Sequence, residues 1–329
     1  VSNAGIGGIR TEMHWKFYET EKGVYKLSAH QKNCLENARK NNLKLLVILA
    51  FGNSLYMENQ DTSLPKTTAE KEAFYNYVYN LVTELERDYG DVVGAYELWN
   101  EPNMLSFNND SADYVDLARY TRAAMTAAGS DKKLLGLSMT GLHSAEYCQW
   151  CTDAYDQGLG KYVDGITCHP YMEDRSPELY DLNAHIDIMH RLAKSHGASP
   201  EVWASDHGWV TTAYYGETMQ AKYLVRSFLT AMSDSEFGNY FIYQFQDDGN
   251  NPYDKERQFG LLRTWSEAVV SYAAKKSYTA IANMNYQLKD LECVKHTEGA
   301  AYDSFRFERE DGNAYTEVVY NRYEADALY

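Results

Sequence analysis

The feature that most constrains the fold of this chain is a regular alternation of strand-length apolar runs with helix-length amphipathic segments. Lys44–Phe51 (K-L-L-V-I-L-A-F) is the clearest run, because every residue after its lysine is apolar. Such a run is typical of a parallel strand that is covered on both faces. The alternation predicts βα units around a parallel sheet, and 329 residues suffice for one large barrel or for two ordinary domains.

Seven strands and seven helices are predicted from this alternation. The predicted strands are Ile6–Met13, Lys44–Phe51, Val92–Leu98, Lys133–Thr140, Val163–Tyr171, Glu201–Trp209 and Tyr240–Phe245. The predicted helices are Ser28–Asn41, Thr68–Tyr89, Asp113–Ala128, Ser144–Gln157, Pro177–His196, Glu217–Ser233 and Thr264–Ala282. Seven strands are one fewer than a closed (β/α)8 barrel requires.

The pattern changes near the C-terminus, where short alternating segments replace the βα units. Leu291–Lys295, Tyr302–Glu308 and Tyr315–Tyr320 alternate apolar and polar residues, and Asp311-Gly312-Asn313 is a turn signal between the last two. We therefore predict a barrel over residues 1–284 and a small β appendage over residues 285–329. The appendage is a candidate piece of an incomplete β-sandwich.

Composition narrows the range of ligands. The formal net charge is −16 and the isoelectric point is about 5.0, which argues against nucleic acid, an anionic membrane surface and a strongly acidic polysaccharide. No apolar run approaches the length of a membrane span, so we expect no membrane insertion. The 29 tyrosines and 6 tryptophans suit a sugar, because their rings offer an apolar face and a hydrogen-bonding edge.

The five cysteines indicate neither a dense disulfide framework nor a zinc site. Cys148 and Cys151 form one C-x-x-C pair, which leaves a local disulfide and two free thiols as alternatives. We predict no metal and no cofactor. The N-terminal residues Val-Ser-Asn-Ala-Gly do not form a signal peptide, so any prediction of location has to come from function.

The segment Tyr96–Asn103 (Y-E-L-W-N-E-P-N) places chemistry at the end of a buried strand. Barrel enzymes carry their catalytic groups at the C-terminal ends of strands, where loops can change without disturbing the core. Glu101 lies at such an end beside the amide of Asn100, and is a candidate proton donor to an oxygen leaving group. The W-N-E-P core resembles the acid/base strand of clan A glycoside hydrolases.

That resemblance extends from about residue 5 to residue 282, and it implies a fold and a reaction. Clan A enzymes are (β/α)8 TIM barrels that cleave sugar–sugar bonds with retention. The family comparison implies that the first barrel strand is missing from this chain, unless a C-terminal strand fills its place. These motifs do not separate family 39, family 42 and family 5-like barrels.

The resemblance also points to a second carboxylate. Val202–Trp209 (V-W-A-S-D-H-G-W) is similar to the clan's nucleophile strand, but Asp206 stands where the clan has glutamate. Aspartate is one methylene shorter, which withdraws the carboxylate by roughly 1–1.5 Å. Three readings remain open: a nucleophile whose backbone compensates, a weakened or inactive sugar-binding relative, or a general base in an inverting reaction. Glu12 and Glu173 are alternative nucleophiles.

Further site residues follow from the resemblance. Arg10 resembles the arginine that holds the nucleophile carboxylate, although it could also pair with Glu97 or Glu12 inside the barrel. Asn100 resembles the asparagine that contacts the sugar 2-hydroxyl. His169 and Tyr171 resemble a His-x-Tyr pair, with Tyr171 donating to the nucleophile and His169 lining the sugar subsite. Other candidates for sugar contact are His14, Trp15, Asn53, Trp209, Gln244 and Phe245.

The predicted function is hydrolysis of β-glycosidic bonds in a neutral oligo- or polysaccharide by a two-carboxylate mechanism. Glu101 and Asp206 are the predicted catalytic residues. The alternative is a carbohydrate-binding pseudoenzyme in which Asp206 cannot act as a nucleophile. Such a function implies a secreted or cell-surface location, and the identity of the sugar stays open.

Overall fold

The structure is a computed structural model that describes residues 1–59, 62–171, 175–264 and 273–322. Its main element is a sheet of seven parallel strands that are adjacent in chain order. The strands are β1 (Gly8–Glu12), β2 (Lys44–Leu49), β3 (Val93–Leu98), β4 (Lys133–Thr140), β5 (Gly165–His169), β6 (Val202–His207) and β7 (Phe237–Ile242).

Helices connect and cover these strands. They are α1 (Trp15–Tyr18), α2 (Ala29–Lys40), α3 (Thr68–Tyr89), α4 (Ser111–Ala127), α5 (Ala145–Asp156), α6 (Pro177–Tyr180), α7 (Leu182–Ser195), α8 (Glu217–Met232) and α9 (Lys276–Gln287). The predicted TIM barrel is confirmed, together with the small β-domain described below. Capping boxes at Ser28 with Gln31 and at Thr67 with Glu70 start α2 and α3 by satisfying their first backbone donors.

Two predicted helices differ from the structure. Pro177–His196 is divided into α6 and α7 at Asp181, whose φ of 57° is left-handed. Aspartate tolerates this conformation, and its side chain caps α7 by accepting from the backbone N–H of Ala184. The predicted final helix Thr264–Ala282 begins instead at Lys276 and ends at Gln287, and residues 265–272 lie outside the described ranges.

The barrel is open between its first and last strands. In the described ranges β1 and β7 are the two ends of the sheet, whereas every other strand is paired on both sides. Both end strands are half-exposed, while β2 after Lys44 and all of β5 are buried. The predicted lack of one barrel strand agrees with this opening. The alternative, in which a C-terminal strand fills the gap, is wrong for the described strands.

The C-terminal strands form their own antiparallel sheet, in the order β10–β9–β8. These strands are β8 (Glu292–Glu298), β9 (Tyr302–Glu308) and β10 (Tyr315–Asn321). The middle strand β9 buries Phe305 and Phe307, which join the main hydrophobic core. Asp311 stabilises the turn before β10 by accepting from the backbone N–H of Asn313.

The remaining structural predictions concern thiols and the membrane. Cys148 and Cys151 are free thiols, so the structure favours that alternative over a local disulfide. The thiol of Cys148 donates to the carbonyl of Leu142, and the thiol of Cys151 contacts the sulfur of Met139. Within the described residues, no helix combines the length and the apolar character that crossing a bilayer requires.

Candidate active site

A cavity of about 2160 Å³ opens at the C-terminal ends of the strands. Its lining includes six predicted site residues, namely Arg10, Asn100, Glu101, Tyr171, Asp206 and Gln244. It continues into the opening of the barrel, where residues 6–12 line one side and residues 237–242 line the other. Both predicted catalytic carboxylates therefore face the same space.

The turn after β3 directs Glu101 into this cavity. Trp99 and Glu101 both have left-handed backbones, with φ of 65° and 48°. Such conformations are strained for residues other than glycine, and they are concentrated at functional sites. The backbone N–H of Glu101 donates to the carbonyl of Ser138 at 3.0 Å, and Asn103 exchanges two hydrogen bonds with the backbone of Thr140. The turn is thereby fastened to the end of β4.

His169 is the direct partner of Glu101. Its Nδ1 lies 2.8 Å from Glu101 Oε1, and its Nε2 lies 3.2 Å from the hydroxyl of Ser138. The imidazole is fully buried, so the prediction that it lines the sugar subsite is wrong. His169 instead acts on the site through Glu101. Burial raises the pKa of Glu101, but the hydrogen bond and charge of His169 and the charge of Arg10 outweigh burial, so the pKa lies below its usual value.

Arg10 connects four residues that lie on three strands or at their ends. Its guanidinium donates to Glu97 Oε2 at 2.6 Å, to Asp206 Oδ2 at 3.0 Å and to Asn100 Oδ1 at 2.7 Å. A longer bond of 3.3 Å reaches the hydroxyl of Ser138. The structure thus combines the two roles considered for Arg10, an ion pair inside the barrel with Glu97 and a contact to Asp206. Arg10 takes one of the two lone pairs of the Asn100 amide oxygen, and the Nδ2 group of Asn100 adds two donors that can meet a ligand hydroxyl.

Asp206 has one donor on each carboxylate oxygen. The hydroxyl of Tyr171 donates to Oδ1, while Arg10 donates to Oδ2. Burial raises the pKa of Tyr171 well above its usual value, and the neighbouring charge of Asp206 raises it further. Tyr171 therefore remains protonated and acts as a permanent donor. Together the two donors orient a carboxylate whose side chain is 14% exposed to the cavity.

The alternative nucleophiles have different surroundings. Glu12 lines the same cavity at the end of β1, but its Oε2 lies 2.6 Å from Nε2 of His14. The hydrogen bond from His14 lowers the pKa of Glu12, against the effect of burial. Glu173 lies outside the described residues.

Several predicted sugar contacts do not line the cavity in the structure. Trp15 and Trp209 are fully buried, and their indole N–H groups donate to Glu19 and to the carbonyl of Arg175. Asn53 is buried as well, and its amide donates to the carbonyl of Glu19. The predictions for these residues are therefore wrong: their polar groups serve the packing of the barrel.

Other predicted contacts remain at the site, and two aromatic residues join them. Gln244 and Phe245 line the cavity, with the amide of Gln244 donating to Asp248 at 3.3 Å. Tyr243 and Phe259 also line it, with ring centroids 5.4 Å apart. The sequence reasoning missed both, although Tyr243 directly precedes Gln244 at the end of β7. Burial and the charges of Asp206 and Asp248 raise the pKa of Tyr243 to about 12, so it too remains a donor.

In the parts of the chain that the structure describes, no cluster of three or more His, Cys, Asp or Glu side chains is arranged to hold a metal ion. The polar groups at the cavity are instead ones that bind and exchange protons with hydroxyl groups: two carboxylates, a guanidinium, amides and phenols. They can orient a sugar ring between two carboxylates that carry different hydrogen-bond partners.

No protein-family model and no curated protein matches this sequence. Solved structures of glycoside hydrolases do match its fold. A family 39 glycoside hydrolase from Bacteroides cellulosilyticus WH2 superposes with a TM-score of 0.80 at 23% identity, over 98% of this chain and 66% of that chain. This chain shares the fold of clan A glycoside hydrolases. It spans just under two thirds of the length of that relative.

Two further structures agree. A family 39 β-xylosidase from Caulobacter crescentus matches with a TM-score of 0.65 at 17% identity, over 93% of this chain and 71% of its own. One chain from the structures of two fungal β-1,4-galactanases matches with a TM-score of 0.62 at 13% identity, over 86% of this chain and 89% of that chain. At these identities the likeness establishes the fold, and the function has to be argued from the site.

Proposed function

We propose that this protein is a glycoside hydrolase that cleaves β-glycosidic bonds of a neutral oligo- or polysaccharide with retention. One observation carries the proposal: Arg10 and Tyr171 hold both oxygens of Asp206 at the same cavity into which a strained turn projects Glu101. Two carboxylates with separate donors at one cavity are the arrangement that this reaction requires. The fold shared with known glycoside hydrolases supports it.

In the first step, protonated Glu101 gives its proton to the glycosidic oxygen while an oxygen of Asp206 attacks the anomeric carbon. The bond from that carbon to the glycosidic oxygen breaks, and the leaving sugar departs as an alcohol. Asp206 is then esterified to the remaining sugar. In the second step, Glu101, now ionised, takes a proton from water while the water oxygen attacks the anomeric carbon and frees Asp206.

The surroundings of Asp206 and Asn100 suit these roles, whereas those of Glu101 favour its ionised form, the one needed in the second step. Arg10 and Tyr171 aim the Asp206 carboxylate and accompany its change from anion to ester and back. Asn100 offers Nδ2 donors to a sugar hydroxyl, and Arg10 fixes the orientation of its amide by donating to Oδ1. His169 limits the pH range in which Glu101 is protonated, since its hydrogen bond and charge lower the Glu101 pKa. A polysaccharide substrate implies a secreted or cell-surface location, which we include in the proposal.

The second candidate is a sugar-binding protein without turnover. The observation in its favour is Asp206 itself, which is one methylene shorter than the glutamate of clan A. A displacement of about 1 Å at a reacting group can reduce a rate on the order of a hundredfold. This candidate predicts sugar binding at the cavity without hydrolysis.

A panel of aryl β-xylosides, glucosides, galactosides and mannosides tests the proposal. We expect the wild-type protein to hydrolyse at least one of them, and Glu101→Gln to reduce kcat by about 10³-fold. Asp206→Asn should reduce it on the order of 10⁴-fold or more. Glu12→Gln is the matched control, since Glu12 is a carboxylate on the same cavity that this mechanism does not use.

The stereochemistry of the product distinguishes a nucleophilic Asp206 from an Asp206 that acts as a general base. Proton NMR of the first sugar released should show the β-anomer, and azide should restore turnover of Asp206→Ala by giving the α-glycosyl azide. An α-anomer as the first product would make Asp206 a general base. A loss in Glu12→Gln as large as that in Asp206→Asn would contradict the assigned nucleophile, and sugar binding without turnover would favour the second candidate.

A further inference from the structure

Two exposed tyrosines stand on neighbouring loops at the catalytic face of the barrel. Tyr214 follows β6, the strand of Asp206, and Tyr253 follows β7; their side chains are 77% and 68% exposed. Their ring centroids lie 6.2 Å apart at an interplanar angle of 63°. Large exposed aromatic groups that lie together are a recurrent sign of a binding surface.

Backbone contacts hold the two loops together. The N–H of Ala213 donates to the carbonyl of Pro252 at 2.8 Å, which links the residues directly before the two tyrosines. The N–H of Tyr214 donates to the hydroxyl of Thr212 at 3.3 Å, and the N–H of Tyr253 donates to the side chain of Asn251 at 3.1 Å. These hydrogen bonds hold the backbone at both tyrosines. The protein therefore loses little conformational entropy when a ligand stacks on the two rings.

The tyrosine pair is continuous with the candidate active site. Tyr215, the next residue after Tyr214, lines the cavity that holds Glu101 and Asp206. Lys255 also lines this cavity, and its ammonium group lies 5.8 Å from the centre of the Tyr215 ring. A chain that leaves the cavity on this side therefore passes from the carboxylates to the exposed rings.

We propose that Tyr214 and Tyr253 form a remote sugar platform, which binds a unit of the same chain beyond the unit held between Glu101 and Asp206. A pyranose ring presents axial C–H groups to an aromatic face and hydroxyl groups to a phenol edge, so each ring can supply both kinds of contact. The formal net charge of −16 disfavours an anionic chain. The preferred substrate is thus a neutral β-linked oligo- or polysaccharide rather than a disaccharide.

This inference rests on the proposed function for its chemistry. The two are tested separately by comparing activity on a short substrate with activity on longer ones. The test compares Tyr214→Ala, Tyr253→Ala and the double variant on an aryl β-glycoside that the wild-type protein cleaves and on β-linked oligosaccharides of the same sugar with two to about six units. Tyr286→Ala is the matched control, because Tyr286 is 78% exposed on α9. Tyr214→Phe and Tyr253→Phe keep the ring and remove the hydroxyl.

The double variant should lose about 10-fold in kcat/KM on the longer oligosaccharides and change less than about twofold on the aryl glycoside. Tyr286→Ala should change neither, and the Phe variants should keep most of the activity on long substrates. Equal losses on short and long substrates, or no loss at any length, would overturn the platform.

If the wild-type protein cleaves none of the aryl glycosides, the proposed function fails while the platform can still be tested. Affinity electrophoresis in soluble xylan, β-glucan, galactan and galactomannan then replaces the kinetics. Retardation of the wild-type protein and of Tyr286→Ala that the double variant loses supports the platform. Equal retardation of all variants, or retardation of none, rejects it.

Discussion

Glu101 and Asp206 share one cavity, but the parts of the barrel that hold them differ. Glu101 follows β3, which is paired on both sides, and its partner His169 is fully buried on β5. Asp206 is on β6, next to the end strand β7, and Arg10 reaches it from the other end strand, β1. Glu101, the proposed proton donor, is thus held by the closed side of the barrel, whereas Asp206, the proposed nucleophile, depends on a contact between the two sides of the opening.

This difference indicates where each carboxylate is vulnerable. The acid/base side is tuned by buried groups that lower the pKa of Glu101 against the effect of its own burial. On the side of Asp206 the position of the carboxylate matters most, because Arg10 and Tyr171 come from separate elements and each donates to one of its oxygens. Changes on the first side should therefore alter pH dependence, and changes on the second should alter rate and stability.

The largest effect is expected for Arg10→Met. The substitution leaves the fully buried Glu97 without its 2.6 Å partner and releases Asp206, so we expect a loss of about 3–5 kcal/mol in the free energy of unfolding. Urea unfolding with circular dichroism measures it. Arg119→Met is the matched control, since Arg119 pairs with Asp116 on an exposed helix face, where such pairs contribute about 0.3–0.5 kcal/mol. A loss of unfolding free energy no larger than that of Arg119→Met would contradict the structural role assigned to Arg10.

The second effect concerns the length of the side chain at position 206. Asp206→Glu moves the carboxylate by roughly 1–1.5 Å and away from Arg10 and Tyr171, so we expect kcat/KM on aryl glycosides to fall on the order of a hundredfold. Glu101→Asp is the counterpart on the closed side, because it withdraws the acid/base from His169 by the same length. An increase in activity for Asp206→Glu would show that the native aspartate is too short, and would favour the sugar-binding candidate.

The smallest effect on the rate is expected for His169→Leu, but this variant should change the pH dependence of the reaction. Burial alone raises the pKa of Glu101, and the hydrogen bond and charge of His169 are the largest of the effects that lower it again. Removing His169 should therefore raise the pKa of Glu101. Glu101 has to be protonated to act as an acid, so the basic limb of the kcat/KM profile should move to higher pH.

Tyr171→Phe is the control for this pH profile. It removes a donor from Asp206 and leaves the hydrogen bond between Glu101 and His169 in place. We expect it to lower the rate and to leave the basic limb nearly where it is. A basic limb that stays in place in His169→Leu, or that moves to lower pH, would contradict the assignment of Glu101 as the acid.

Much of the barrel could be predicted because strand periodicity is a local property. The apolar run Lys44–Phe51 became β2 (Lys44–Leu49), and the strand before Glu101 became β3 (Val93–Leu98). The break in the helix at Asp181 was not predicted, since a left-handed residue inside an apolar pattern is decided by how the flanking helices pack. Trp15 was misplaced for a related reason: it stacks on Tyr77, which arrives from a helix far along the chain.

By itself, the sequence determined the alternation of strands and helices and the chemical types at the strand ends, including an aspartate at position 206, where the resemblance to clan A predicts a glutamate. Only the tertiary structure decided which side chains meet. Arg10 and Asp206 are 196 positions apart, and His169 and Glu101 are 68 apart. The physical reason is that a local pattern sets the direction of a strand, whereas a hydrogen bond depends on distance and angle, which are set by the packing of the whole barrel.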